Sequence, residues 1–164
     1  MSTATATSRH PLPDVALVRD LFGMLFDGLT VKAGGKLDVS PQSHAYVGVY
    51  IADDGSPSAL CACDLALAAN SGAALSMLPP NVAKDAVKSK ELTDVMLANL
   101  GEVMNICTRL MIQDNTPHLR LQQVCKANAL PAPAAAIIGA ARGRVDFEIG
   151  LGKYGAGVLA VMCM

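Results

Sequence analysis

Two polar residues one helical turn apart, Glu102 and Asn105, are the part of this sequence best suited to chemistry. They lie in residues 89–113, the longest proline-free segment in which apolar residues recur at helical spacing. Because side chains at positions i and i+3 of a helix are neighbours, we expect the carboxylate and the amide side by side. A Glu-x-x-Asn string is also short enough to occur by chance, so two ordinary solvated residues are an alternative interpretation.

The apolar residues of this segment predict which side of the helix is buried. At about 100° per residue, they fall on one broad arc. That arc consists of Leu92, Met96, Leu100, Val103, Met104, Cys107, Leu110 and Met111. The opposite arc consists of Asp94, Ala98, Glu102, Asn105, Thr108 and Arg109. Such a helix packs one side on a core and presents the other, with Glu102 and Asn105 near the middle of the presented side.

The composition excludes several classes of protein. A chain of 164 residues is long enough to bury a core as one domain. With 52% apolar and only 16% charged residues, it is globular and not disordered. A net charge of −1 provides no electrostatic footprint for nucleic acid or for an anionic membrane surface. We therefore expect neither nucleic acid nor a membrane as a partner.

The cysteines and the first residues favour a cytoplasmic protein without a cofactor of its own. The N-terminal residues lack the apolar region of a secretory signal, and no apolar run reaches the roughly 18 residues of a membrane span. The histidines are scattered and no second cysteine pair has metal-ligand spacing, so we expect no metal site. Reduced, buried thiols are predicted for the five cysteines, Cys61, Cys63, Cys107, Cys125 and Cys163.

The chain before residue 89 predicts a tail, two helices and a hairpin. Residues 1–12 are expected to form a flexible tail and residues 13–164 a single domain. A first helix begins at Pro13 and Asp14, with apolar residues at helical spacing as far as Leu29. Residues 44–52 and 58–63 are strands joined by an Asp-Asp-Gly turn. Asp64 then caps a helix over residues 65–78.

The remaining segments are predicted to be mainly strands. Residues 81–90 are expected to form a polar linker or a short helical turn, and residues 128–133 a proline-rich break without regular structure. Strands are expected over residues 118–126, 144–151 and 158–163. If this last apolar strand lies at a sheet edge, it needs covering, which favours a homodimer. Segregated helices and strands indicate an α+β fold, a mainly antiparallel sheet covered by helices.

Residues 150–155 match the dinucleotide fingerprint G-x-G-x-x-G letter for letter. That motif requires a following helix whose N-terminus meets the pyrophosphate. Here an apolar strand is predicted to follow instead. We therefore reject nucleotide binding at this motif.

Residues 97–106 (LANLGEVMNI) resemble the L-x-x-x-G-E-x-x-N-I/L signature of the CheC/CheX/FliY family of chemotaxis phosphatases. The N-terminal helix, the hairpin and a helix opening Asp-Leu-Ala occur in the same order as in that family. The resemblance covers residues 14–162 and is greatest to the CheX branch, whose members carry a single such helix. It implies a CheX-like fold with one long amphipathic helix.

The resemblance also implies a function in two-component signalling. Family members are homodimers that dephosphorylate the aspartyl phosphate of a response-regulator receiver domain, and the Mg²⁺ belongs to that phosphorylated partner. By resemblance, Asn105 orients the attacking water and Glu102 pairs with a lysine of the partner. Ala98, Asn99 and Arg109 are expected to contact the partner.

Two departures from the family pattern leave other functions open. Ala98 stands where the family often has an acidic or hydroxyl residue, and Arg109 lies where small residues often follow the asparagine. Arg109 either assists docking on an acidic partner or obstructs it. One alternative is a non-catalytic interaction module similar to flagellar-switch components. Another is a ligand-sensing domain with a pocket between helices and sheet, although no polar cluster supports it.

Overall fold

A computed structural model of the chain describes residues 10–164 and contains a six-stranded antiparallel sheet. The strands are β1 Leu29–Ala33, β2 Tyr46–Ile51, β3 Pro57–Cys63, β4 Arg120–Lys126, β5 Gly143–Leu151 and β6 Ala156–Cys163. Their spatial order is β1-β5-β6-β3-β2-β4. The predicted hairpin is confirmed as β2 and β3, which pair from Tyr46 opposite Cys63 to Ile51 opposite Pro57.

Helices cover both faces of this sheet. They are α1 Val15–Gly23, α2 Leu65–Leu75, α3 Pro80–Ser89, α4 Asp94–Ile106 and α5 Ala132–Ala140. Residues of α1 to α4 belong to the larger hydrophobic core, whereas α5 packs on the opposite face. The predicted α+β fold is confirmed. None of the helices in residues 10–164 is long and apolar enough to cross a membrane.

The central strands are buried on both faces. In β2, Tyr46 and Tyr50 join the larger core, while Val47 and Val49 join the core under α5, as the alternation of side chains along a strand requires. Strand β6 lies between β5 and β3, so it is not an edge strand. The argument for a homodimer that assumed an exposed C-terminal strand is therefore wrong.

Two segments predicted to be irregular are helical. The predicted linker is helix α3, and the predicted break ends in α5 after a short 3-10 turn at Ala127–Ala129. In each case a proline lies at the start of the helix. Proline is favourable there because its missing N–H would lack an intrahelical partner anyway.

The first helix is shorter than its apolar pattern. It ends at Gly23, and Leu29 already belongs to β1. The apolar spacing continues past the helix because Phe26 still packs in the core, and Gly28, with a positive φ of 66°, lies in the turn that leads into β1. Helix α2 likewise ends at Leu75 and not at residue 78.

The chain is packed from His10 onward. Of the predicted tail, residues 1–9 lie outside the described residues. His10 is only 9% exposed, and its Nδ1 donates a hydrogen bond of 3.1 Å to the carbonyl of Met111. The start of the described chain is therefore attached to the segment that follows α4.

The glycine-rich residues near the C-terminus form a turn between strands. Gly152–Tyr154 is a short 3-10 turn, and strand β6 follows it. The helix that a dinucleotide fingerprint requires is replaced by a strand, as predicted.

Helices α2 and α4 cross at a glycine. A Cβ added at Gly72 would lie 2.9 Å from the carbonyl oxygen of Met96 and 3.0 Å from its Cβ. A Cβ is essentially never found as close as 2.9 Å to a backbone oxygen, so only glycine fits without a shift of α4. This contact fixes the depth at which α4 packs against the protein.

We expect Gly72→Ala to destabilise the protein and to loosen α4. Overpacking costs about 1–3 kcal/mol, and the helix preference of alanine offsets up to about 1 kcal/mol of this. Urea unfolding should therefore show a net loss of about 1–2 kcal/mol, and amide hydrogen exchange in α4 should become faster.

Gly139→Ala is the matched control, because a Cβ at Gly139 in α5 meets no atom within 4 Å. Its stability should equal or exceed that of the wild type. A Gly72→Ala protein as stable as the wild type would contradict the close crossing of the two helices.

Candidate functional site

Helix α4 has clear local start and end signals. Thr93 is the N-cap, and its side-chain oxygen accepts a hydrogen bond of 3.2 Å from the N–H of Met96. The carboxylate of Asp94 in the first turn favours the positive end of the helix dipole. The helix ends at Ile106, where a 3-10 turn over Cys107–Leu110 begins. The predicted helix over residues 89–113 is thus too long.

The buried side of α4 and its flanks is the one that the sequence predicted. Every residue of the predicted apolar arc is at most 8% exposed, and all of them belong to the larger core. They anchor α4 against α2 on one side and over β4 on the other, with Met104 beside Gly48 and Tyr50 of β2. Burial of this many apolar side chains makes α4 a rigid platform for the residues on its outer side.

A buried hydroxyl ties the C-terminal half of α4 to the sheet. The Tyr50 hydroxyl of β2 donates a hydrogen bond to the carbonyl of Met104. Burial raises the pKa of Tyr50 well above its usual range, so the hydroxyl keeps its proton and remains a donor. This bond satisfies a helix carbonyl close to Asn105.

Asn99 is bonded within the protein. Its Nδ2 donates hydrogen bonds of 2.8 Å to the carbonyl of Gly72 and 2.7 Å to the hydroxyl of Ser76, both near the C-terminal end of α2. These bonds satisfy polar groups at the end of α2 and hold α4 beside it. The sequence placed Asn99 among the partner contacts, whereas the structure shows an amide occupied by contacts inside the chain.

Glu102 and Asn105 lie exposed on the outer side of α4, together with Ala98, and Arg109 is exposed in the 3-10 turn that follows the helix. Within residues 10–164 the ion pairs are Lys32–Glu148, His118–Asp53 and Arg144–Asp146, and none of them involves Glu102. In the same part of the chain, the side chain of Asn105 forms no hydrogen bond, unlike that of Asn99. The carboxylate and the amide are thus available to a second molecule.

Thr108 differs from its predicted position on the presented side. It is half-buried, and its hydroxyl oxygen is buried without a hydrogen-bond partner in the described chain. The reason is the 3-10 turn, which winds more tightly than an α-helix and rotates the residues after Ile106 relative to α4.

Gly101 matches the glycine of the signature in residues 97–106, but no role was predicted for it. It lies in α4 directly before Glu102, and a Cβ added there would meet no atom within 4 Å. The signal for it was present, because a glycine inside a helical pattern has an energetic cost that packing or function must justify.

The exposed amide and carboxylate on α4 are suited to binding and orienting a second molecule. Residues 10–164 contain no group of three or more His, Cys, Asp or Glu side chains that could hold a metal. Hydrogen bonding with Cys107 and burial raise the pKa of Cys61, and burial raises that of Cys63, so these thiols are poor nucleophiles. An exposed amide, in contrast, can both donate to and accept from one water molecule.

A cavity of about 530 Å³ lies away from α4. It opens between the end of α2 and the turn that joins β5 to β6, and its lining is mostly apolar. The lining residues are Leu25, Phe26, Asp27, Gly28, Ala74, Leu75, Met77, Leu151, Gly152, Lys153 and Tyr154. A ligand there would not contact Glu102 or Asn105, so the two features are separate.

Comparison with known proteins finds similarity at the level of structure alone. No protein-family model matches the sequence, and no curated protein matches it. The solved structures do match. The CheX-CheY-BeF3-Mg²⁺ complex from Borrelia burgdorferi has 13% identity and a TM-score of 0.52, with 90% of each chain covered.

Two further structures align over 91% of this chain. Thermotoga maritima FliY has 14% identity and a TM-score of 0.53, with 81% of its own chain covered. The FliM-SpeE complex from H. pylori has 12% identity and a TM-score of 0.53, with 78% of the matched chain covered. The resemblance inferred from residues 97–106 is confirmed for the fold: the chain has a fold of the CheC/CheX/FliY type.

Proposed function

We propose that this protein is a CheX-like phosphatase that hydrolyses the aspartyl phosphate of a response-regulator receiver domain. The observation that carries the proposal is the pair Glu102 and Asn105. Both are exposed, one turn apart, and lie on a helix whose opposite side is buried. A rigid helix that presents an amide and a carboxylate can insert both into the active site of another protein.

The chemistry requires little from the protein itself. An aspartyl phosphate is an activated acyl phosphate, and the receiver domain supplies the Mg²⁺ that neutralises charge on the phosphoryl oxygens. Water attacks phosphorus, the bond from phosphorus to the aspartyl oxygen breaks, and a carboxylate and inorganic phosphate are released. The missing contribution is a water molecule held in line with that bond.

Asn105 is assigned the role of holding this water. Its carbonyl oxygen accepts a hydrogen bond from the water, and its NH₂ donates one to the water or to a phosphoryl oxygen. An amide does not ionise, so it does this without repelling the anionic phosphoryl group. The absence of an intramolecular hydrogen bond at Asn105 within residues 10–164 leaves both groups of the amide available.

Glu102 is assigned a docking role. A carboxylate on the outer face of α4 can pair with a lysine of the receiver domain and fix the orientation in which Asn105 enters the site. Arg109, one turn after Asn105, offers a cation to the acidic surroundings of a bound Mg²⁺. In this proposal Arg109 assists docking and does not obstruct it.

The structural comparison supports a receiver domain as the partner. One of the solved structures with this fold is CheX in complex with CheY, beryllofluoride and Mg²⁺. Beryllofluoride mimics a phosphoryl group, so that complex pairs this type of fold with a phosphorylated state. At 13% identity the likeness supports the choice of partner for this chain, and the assay below decides it.

Asn105→Ala should lower the rate of phosphate release about 100-fold, because a misplaced nucleophile costs roughly that factor. The measurement uses receiver domains of the source organism phosphorylated with acetyl phosphate. Binding to the same receiver loaded with beryllofluoride and Mg²⁺ should change less than about threefold, because the side chain contributes orientation more than affinity.

Asn81→Ala is the matched control, because Asn81 is also an exposed asparagine but belongs to α3 and not to α4. It should release phosphate at the wild-type rate. Equal rates for the wild type and Asn105→Ala would exclude the assigned role of this amide.

Glu102→Ala should weaken receiver binding about fivefold to tenfold, and Glu102→Lys should weaken it further. The loss should shrink as ionic strength rises, because salt screens an exposed ion pair. Calorimetric titration with the beryllofluoride-loaded receiver at two salt concentrations measures both effects. Glu91→Ala, at an exposed carboxylate outside α4, serves as control. A loss that is independent of salt would argue against an ion pair at Glu102.

A non-catalytic interaction module in two-component or flagellar-switch signalling is the second candidate. The fold matches FliY and the FliM-SpeE complex as well as it matches the CheX complex, and Ala98 departs from the phosphatase pattern. This candidate predicts receiver binding without phosphate release above the receiver's own rate. The assay used for Asn105→Ala therefore separates the two functions.

A further inference from the structure

Gly101 has an energetic cost that the packing of the chain does not explain. It lies in the interior of the 13-residue helix α4, where glycine is less favourable than alanine because it loses more backbone freedom on folding. A Cβ at this position would meet no atom within 4 Å. The described chain would therefore accept a side chain here and would gain stability from it.

The other helical glycines of residues 10–164 have explanations or lower costs. Gly72 lies within α2 and is required by the contact with Met96. Gly23 and Gly139 lie at or next to the C-terminal end of their helices, where glycine is better tolerated. Gly101 is the case in this part of the chain in which an interior glycine has open space beside it.

Its position places this open space at the proposed site. With 3.6 residues per turn, Gly101 lies about 40° around the helix from Asn105, one turn away along the axis. Ala98 precedes Gly101 by one turn on the same side. Beside Glu102 and Asn105, the outer face of α4 thus carries two small residues, Ala98 and Gly101. Val95 and Leu97, which are 52% and 42% exposed, flank them.

We propose that Gly101 is a docking residue whose missing side chain lets the receiver domain contact the backbone of α4 directly. This inference rests on the proposed function and specifies how that site is reached. A methyl group at Gly101 would hold the partner farther away by roughly one carbon–carbon bond, about 1.5 Å. Asn105 projects only a short side chain, so its amide would no longer reach the water.

The test compares Gly101→Ala with Gly139→Ala, the same substitution at a glycine with equally open surroundings on the opposite face of the sheet. Both variants should unfold at a higher urea concentration than the wild type, or at the same one. Gly101→Ala should lower phosphate release at least tenfold, in keeping with the cost of a displaced nucleophile. Gly139→Ala should leave both the rate and receiver affinity at the wild-type values.

The affinity for the receiver domain distinguishes the role of Gly101 from that of Asn105, which orients the water. Titration with the receiver domain loaded with beryllofluoride and Mg²⁺ should show weaker binding by Gly101→Ala, whereas Asn105→Ala should retain binding. If the second candidate function applies, weaker binding by Gly101→Ala with normal stability still supports a docking role.

Three results would overturn the inference. A lower unfolding midpoint for Gly101→Ala would show that the chain's own packing needs this glycine. Wild-type activity and affinity in Gly101→Ala, beside an active wild type, would reject the docking role alone. A wild type that neither binds nor dephosphorylates any receiver domain of the source organism would reject the proposed function together with this inference.

Discussion

The burial of one side of α4 is the constraint on which the rest of the structure depends. Each fully buried apolar side chain contributes about 1.5–3 kcal/mol, so the inner side of α4 fixes its position firmly. Gly72 sets the depth of the helix against α2, and the Tyr50 hydroxyl holds its C-terminal half to the sheet. The outer side chains then start from a fixed backbone, which lowers the entropy lost when they bind a partner.

A fixed backbone suits a reaction in which the substrate carries most of the chemical machinery. In the proposed reaction the acyl phosphate is already activated and the metal belongs to the partner, so one oriented amide is enough to assist water. Because the protein itself contributes so few chemical groups, one fold can serve for both catalysis and binding. The difference between the two functions lies in a few exposed side chains, such as Asn105 and Ala98, while the buried side of α4 stays the same.

Local patterns predicted what depends on local physics. The buried side of α4, the hairpin and the Asp64 cap follow from periodicity, turn chemistry and capping, and all are present. Helix α3 was predicted as a linker because its residues are mostly polar, and Pro131 favoured a break although proline also suits the start of a helix. The break between α3 and α4 was missed because Lys90 adopts a left-handed conformation (φ 60°) without the usual glycine signal.

Contacts between segments that are distant in sequence could not be predicted from such local patterns. The bonds from Asn99 to α2 depend on which helix lies beside α4, and the interior position of β6 depends on strand pairing across the whole sheet. For the same reason, two glycines that look alike in the sequence differ in kind. Gly72 is explained by a neighbour inside the molecule, whereas Gly101 faces open space. For Gly101, a local cost without a compensating contact in residues 10–164 is what favours our proposal that the compensation comes from a complex with another protein.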